Sequence, residues 1–128
     1  MSAPPVVLVV EDNPELRLAL KEAFASQGYE VIAARDDTEA FEHLRSRSVS
    51  LLISDLTDPP QTSETLETLR KEFPSLPIVA LSDGAGSHPA LFFSAWQEPK
   101  DVRLLPKPFR LGELLAVSRE VLGQAAAR

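Results

Sequence analysis

The sequence has no cysteine, few basic residues and no long hydrophobic run, and each absence excludes a class of protein. Without cysteine there is no disulfide framework, thiol nucleophile or cysteine-based zinc or iron–sulfur site. The first hydrophobic run, residues 6–10, is too short for a signal-peptide core or a membrane span. The 13 Lys and Arg are outnumbered by 19 Asp and Glu, which argues against general binding to a nucleic-acid backbone. We therefore expect a soluble, cytoplasmic protein that contacts neither nucleic acid nor membrane directly.

The residues that are present fit one globular domain. The chain has 128 residues, of which 44% are hydrophobic and 25% are charged. These values are typical of a folded domain with one hydrophobic core. We expect a single domain over residues 1–128, with its core between about 5 and 122 and a frayed tail at 123–128.

Short hydrophobic runs alternate with stretches of helical periodicity. The runs are residues 6–10, 29–33, 49–53, 77–81 and 102–105. Their continuous hydrophobicity favours strands that are buried on both faces. Asn13 is suited to cap the first helix, and Asp36 with Glu39 resembles a capping box for the second. A third helix stops at Pro74, a fourth covers residues 90–96, and Leu111, Leu114, Leu115, Val121 and Leu122 form the hydrophobic stripe of the last. This alternation predicts a parallel sheet with helices on both faces.

Polar residues follow four of the five predicted strands. Glu11 and Asp12 follow the first, Asp55 the third, Ser82 the fourth and Lys107 the fifth. In open α/β sheets, ligands bind beyond the carboxyl ends of the strands. Carboxylates crowded at one sheet edge repel one another, and a hard divalent cation such as Mg²⁺ relieves that repulsion. A lysine and a hydroxyl opposite the metal suit a tetrahedral oxyanion such as phosphate.

The ordered set of Glu11-Asp12-Asn13, Asp55, Ser82 and Lys107-Pro108-Phe109 resembles the response-regulator receiver domain of two-component signalling. The resemblance covers about residues 5–122. It implies a flavodoxin-like (βα)5 fold, in which helices cover both faces of a doubly wound, five-stranded parallel sheet. It also implies a signalling protein that is not an enzyme, although it assists its own phosphorylation and dephosphorylation.

The resemblance assigns a role to each acidic residue. Asp55 matches the position that accepts a phosphoryl group from a histidine kinase, a phosphotransfer protein or a small phosphodonor. Asp12 would bind Mg²⁺ directly, together with Asp55 and the backbone carbonyl of Thr57. Glu11 would hold a metal-bound water or share in coordination.

The remaining matched positions would sense the phosphoryl group. Lys107 would pair with a phosphoryl oxygen, and Ser82 would hydrogen-bond the group and act as the switch residue. The other switch position is occupied by Leu104, where relatives carry an aromatic residue. Output would pass through the surface of the fourth helix, fifth strand and fifth helix, to a partner that the sequence does not identify. We hypothesise that Phe93 or Trp96 lies on that surface.

Departures from the family pattern leave three functions open. Asp58 and Asp83 add negative charge near the site, Pro59 and Pro60 stiffen the loop after Asp55, and Leu104 alters the switch. The chain is either a phosphorylatable receiver or a receiver-like interaction module that works without phosphorylation. The third possibility is a Mg²⁺-dependent phosphatase with Asp55 as its nucleophile. That family requires a second Asp two residues later, where this chain has Thr57, and a cap domain, which 128 residues cannot hold.

Overall fold

The structure is a computed structural model that describes residues 3–56, 67–83 and 102–126. Within these ranges only the backbone is described at residues 55–56, 82–83, 102, 104, 106–107 and 124–126. Phe93, Trp96 and the predicted fourth helix lie outside the described residues.

Five parallel strands form a single sheet in the order β2-β1-β3-β4-β5. Their bounds are β1 Val6–Val10, β2 Glu30–Ala34, β3 Leu51–Leu56, β4 Ile78–Asp83 and β5 Val102–Lys107. The strand order reverses direction at β1, as it does in a doubly wound sheet. The predicted fold class is confirmed.

Helix α1, Pro14–Ser26, begins and ends where the sequence predicts. The Asn13 side chain accepts hydrogen bonds from the backbone N–H groups of Glu15 (2.9 Å) and Leu16 (3.1 Å), which would otherwise lack partners. The helix ends before Gly28, whose φ of 93° is a left-handed conformation that glycine adopts without strain.

Helix α2, Asp37–Ser46, begins with the predicted capping box. Asp36 Oδ1 accepts a hydrogen bond from Glu39 N–H at 3.0 Å. Glu39 reaches back and accepts the N–H of Arg35 at 2.8 Å, one residue before the N-cap Asp36 whose N–H this motif ordinarily uses. Asp36 takes the place of the usual Ser or Thr. A further helical segment covers residues 67–72, and the C-terminal helix is Leu111–Ala126.

The helices cover opposite faces of the sheet because strand residues alternate between the two faces. Val7 and Val9 of β1 pack with Leu20 and Phe24 of α1, in a cluster that also includes the C-terminal helix. Their neighbours on β1 pack on the other face, in a cluster with α2 and segment 67–72. Among the described residues, no helix is long and hydrophobic enough to cross a membrane.

Four strands extend beyond the predicted hydrophobic runs, β2 by a single residue to Ala34 and the other three by two or three residues. The runs place the end of β3 at Ile53, of β4 at Leu81 and of β5 at Leu105, but the final residues of these strands are Leu56, Asp83 and Lys107. The prediction that Asp55, Ser82 and Lys107 follow their strands is therefore wrong, because each is the last or next-to-last residue of its strand. The reason is that backbone pairing with a neighbouring strand continues after the side chains become polar.

The hydrophobic stripe of the C-terminal helix was predicted incorrectly at one position. Leu111 is 41% exposed, whereas Leu114 and Val121 are buried as expected. Ser118 occupies the buried position between them and is fully buried. Its hydroxyl has no hydrogen-bond partner among the described residues. The helix continues to Ala126, past the expected start of the tail at residue 123, and fraying of that tail stays a prediction.

Replacing Ser118 with alanine should raise the free energy of unfolding by about 1 kcal/mol, because a buried hydroxyl without a partner costs desolvation free energy. Urea denaturation would measure the change. Ser50→Ala is the matched control of opposite sign, because Ser50 Oγ accepts the N–H of Val6 at 3.2 Å. A loss of stability in Ser118→Ala as large as that in Ser50→Ala would contradict the assignment.

Candidate functional site

The carboxyl ends of β1 and β3 bring two acidic residues to the same level of the sheet. Val10 of β1 pairs in register with Ser54 of β3. Glu11 and Asp55 are the residues that come directly after this pair. Adjacent strands are separated by about 4.8 Å, and the two backbones are therefore close neighbours. Glu11 also donates its N–H to the carbonyl of Ala34 in β2 at 3.0 Å. The edge of the sheet that carries Glu11, Asp12 and Asp55, called the acidic edge below, is therefore formed at the ends of β1, β2 and β3.

The pairing continues across the sheet towards Lys107. Leu56 of β3 pairs with Ser82 of β4, and Ser82 pairs with Pro106 of β5. Asp83 and Lys107 are register partners at the ends of β4 and β5. The sheet places the backbones of Asp55, Ser82 and Lys107 in the order predicted from the sequence, and it places Asp83 opposite the lysine.

Glu11 is an unusual acidic residue because it is only 2% exposed. Its Oε2 accepts the backbone N–H of Asn13 at 3.1 Å. Burial of a carboxylate is unfavourable unless hydrogen bonds or opposite charge compensate for it. The N-terminus of α1 follows directly, and the positive end of its dipole favours negative charge at this position.

Asp12 lies beside Glu11 but differs from it in exposure and in role. Asp12 is exposed, and Asn13 alone caps α1. The side chain that caps α1 is therefore that of Asn13 and not that of Asp12. Its carboxylate is accessible at the carboxyl edge of the sheet, next to the strand end that carries Asp55.

Arg17 contacts this site and was not predicted from the sequence. Its Nη1 donates to the backbone carbonyl of Glu11 at 2.9 Å and to that of Asp12 at 3.4 Å. The signal in the sequence is weak. Arg17 is a cation in the first turn of a helix, where the macrodipole disfavours it. It follows the acidic pair Glu11 and Asp12 by six and five residues.

Several predicted site residues lie partly or wholly outside the described residues. Thr57, Asp58, Pro59 and Pro60 are outside them. Of Asp55, Ser82, Asp83, Leu104 and Lys107 only the backbone is described. Among the described side chains, which exclude that of Asp55, no three acidic or histidine residues cluster as a metal site requires.

The chain belongs to the response-regulator receiver family. The family model described as "Response regulator receiver domain" matches residues 7–119. The transcriptional regulatory protein CpxR of Escherichia coli K12 is 32% identical, over 91% of this chain and 48% of CpxR. The sensor histidine kinase TmoS of Ectopseudomonas mendocina is 34% identical, over 94% of this chain and 13% of TmoS. The chain therefore spans half or less of the length of these relatives.

Solved structures of similar fold are receivers too. The signal receiver domain of an HD domain-containing protein from Pseudomonas fluorescens Pf-5 is 28% identical, with a TM-score of 0.82 over 98% of this chain and 99% of that one. A response regulator from Thermotoga maritima is 29% identical, with a TM-score of 0.79 over 94% and 98% of the two chains. These likenesses identify a receiver domain of two-component signal transduction.

Proposed function

We propose that Asp55 is the phosphoacceptor of this receiver and that its phosphorylation requires Mg²⁺. The observation that carries the proposal is the register of the sheet. It sets Glu11 and Asp12 beside the strand end that bears Asp55, with Lys107 at the end of β5. We also propose that residues 1–128 form one cytoplasmic receiver domain with its core at about 5–122.

The donor set fits a magnesium ion. Asp12 and Asp55 would supply carboxylate oxygens, Thr57 a backbone carbonyl, and Glu11 an oxygen that holds metal-bound water. Mg²⁺ prefers oxygen ligands and keeps several waters, so two carboxylates and one carbonyl are sufficient. When bound, the metal neutralises negative charge on the transferring phosphoryl group. The exposure of Asp12 and the burial of Glu11 are consistent with these different roles.

Phosphoryl transfer then needs little more than a positioned nucleophile. A carboxylate oxygen of Asp55 forms a bond to phosphorus while the bond from phosphorus to the donor histidine nitrogen breaks. The donor imidazole keeps the electron pair of the broken bond and takes up a proton, and Asp55 becomes an acyl phosphate. Lys107 pairs with a phosphoryl oxygen, and the Ser82 hydroxyl donates a hydrogen bond to another.

The switch should differ from that of relatives with an aromatic residue in β5. Leu104 pairs in register with Ala80, two residues before Ser82. A leucine has no ring to change orientation when the Ser82 hydroxyl moves towards the phosphoryl group. Output therefore does not use the reorientation of a ring at this position.

The receiver-like module without phosphorylation remains the second candidate function. The backbone register that sets Asp83 beside Lys107 favours it, because a carboxylate at this position would compete with a phosphoryl group for the lysine. The phosphatase alternative gains no support, since Thr57 stands where its second aspartate is required.

The partner that supplies the phosphoryl group is proposed to be a histidine kinase or a phosphotransfer protein. Leu18 (55%) and Leu111 (41%) are the large hydrophobic residues exposed among the described part of the chain. Leu18 lies in α1, which starts just after Asp12, and Leu111 begins the helix that follows Lys107. Both helices cover the same face of the sheet. We propose that these leucines contact the donor protein beside the acidic edge.

Incubation with Mg²⁺ and acetyl phosphate should add the mass of one phosphoryl group to the wild-type protein and none to Asp55→Asn. Intact-mass spectrometry measures the change, and removal of Mg²⁺ by EDTA should abolish it. If the wild type gains no phosphoryl group from acetyl phosphate or from any histidine kinase of a panel, the module without phosphorylation is the better description.

Replacing Asp83 with asparagine should increase the ratio of phosphorylated to unphosphorylated protein at equilibrium by about fivefold, since a like charge near the phosphoryl group contributes about 1 kcal/mol of repulsion. The fraction can be read by the same mass measurement. Glu22→Gln, an exposed charge change on α1, is the matched control and should have no effect. An unchanged fraction in Asp83→Asn would show that its charge does not reach the site.

Leu18→Asp should slow phosphotransfer by about tenfold when the donor is the histidine kinase that phosphorylates the wild type fastest. The reason is that it removes a hydrophobic contact that the proposed complex would bury. Phosphorylation by acetyl phosphate should be unchanged, since no docking is involved. Ala116→Asp, an exposed position in the C-terminal helix, serves as the control. Equal slowing with both donors would instead indicate damage to the site or to the fold.

A further inference from the structure

Arg17 is placed where helix energetics alone disfavour it. It is the fourth residue of α1, and its N–H closes the first helical hydrogen bond to the carbonyl of Asn13 at 2.8 Å. A cation in the first turn opposes the helix dipole. The partly buried side chain turns back past the helix start and donates from one nitrogen to two carbonyls of the preceding segment. The hydrogen bonds to these two carbonyls explain why an arginine is present despite the unfavourable helix dipole.

The two carbonyls belong to the peptide groups on either side of Asp12. The carbonyl of Glu11 is part of the peptide group before Asp12, and the carbonyl of Asp12 is part of the one after it. Because a peptide group is planar, a hydrogen bond to its oxygen restrains the orientation of the whole group. The second group is also held through its N–H, which Asn13 donates to Glu11 Oε2 at 3.1 Å. With both planes restrained, φ and ψ of Asp12, and so the direction of its Cα–Cβ bond, are restrained as well.

The end of β2 also restrains the segment that contains Asp12. Glu11 N–H donates to Ala34 at the end of β2, which leads into the capping box of α2. The pKa of Glu39 in that box is lowered chiefly by hydrogen bonds from the backbone and side chain of Arg35, and the charge of Arg17 lowers it further. The charge of Arg17 is therefore felt at the start of α2 as well.

We propose that Arg17 is a positioning residue for the metal site, and that it orients Asp12 towards Mg²⁺ by restraining the two peptide groups around it. This proposal rests on the proposed function, because it assumes that Asp12 binds the metal. It assigns Arg17 no contact with the metal or with the phosphoryl group.

The sign of the effect on Mg²⁺ affinity distinguishes positioning from simple electrostatics. A positive charge near a cation site repels the cation, so removing the charge of Arg17 would by itself tighten Mg²⁺ binding or leave it unchanged. Loss of positioning acts in the opposite direction. Removal of groups that orient metal ligands weakens metal binding by about tenfold or more.

The test is a titration of the unphosphorylated, ¹⁵N-labelled protein with Mg²⁺ alone, followed through the amide resonances of residues 11–13. Arg17→Met should weaken Mg²⁺ binding by about tenfold. Arg17→Lys keeps the charge but has no planar guanidinium, and its affinity should fall between those of the wild type and Arg17→Met. Lys21→Met removes the same charge from an exposed position one turn later in α1 and should not weaken binding.

A second readout needs no metal. The carbonyl ¹³C resonances of Glu11 and Asp12 should shift in metal-free Arg17→Met, because they lose a hydrogen-bond donor, and should stay in place in Lys21→Met. If Arg17→Met does not fold, Arg17→Lys decides the question, and wild-type affinity in that variant contradicts the proposal.

The possible failures are distinguishable. If the wild type binds Mg²⁺ and Arg17→Met binds it equally or more tightly, the positioning role of Arg17 is wrong while the proposed function stands. The positioning role is also wrong if Lys21→Met weakens binding as much as Arg17→Met does. If the wild type itself does not bind Mg²⁺, the metal site of the proposed function fails, and the positioning role fails with it.

Discussion

The hydrogen-bonded register between β1 and β3 is the constraint on which the candidate site depends. It pairs Val10 with Ser54 and so brings Glu11 and Asp55 side by side. A slip of β3 by one residue relative to β1 would turn the side chains of β3 to the opposite faces of the sheet. Ile53 would then leave the core formed with α1, and Leu52 would leave the core formed with α2. Packing on both faces therefore fixes the relative position of the acidic residues.

The three residues before α1 differ in their hydrogen bonds and exposure. Asn13 satisfies the free N–H groups of α1, and Glu11 satisfies the N–H of Asn13 itself. The carboxylate of Asp12 is thereby left out of the helix cap and exposed at the sheet edge. Three consecutive polar residues thus have three different local tasks, and the task proposed for Asp12 is to bind a metal ion.

The sequence was sufficient to predict the fold because strands that are buried on both faces and helices with polar caps have distinct patterns. Asn13, Asp36 and Glu39 mark the starts of α1 and α2 by their chemistry alone. Strand ends were less predictable, because hydrophobicity stops before backbone pairing does, and β3 continues past Ile53 to Leu56. Leu111 was misplaced because a hydrophobic residue in the first turn of a helix continues the periodic pattern whether or not it is buried. The order of the site residues could be predicted from topology, but Arg17 could not, because its partners are backbone carbonyls, which every residue has.

The central claim is that Glu11, Asp12, Asp55 and Lys107 form one phosphoryl-binding site around a magnesium ion. A crystal structure with Mg²⁺ and beryllium trifluoride, an analogue of the phosphoryl group, tests it directly. We predict beryllium on the Asp55 carboxylate, Mg²⁺ bound by Asp12 and Asp55, and the Lys107 ammonium on a fluorine. A structure in which Asp55 carries no analogue while Lys107 pairs with Asp83 would contradict it.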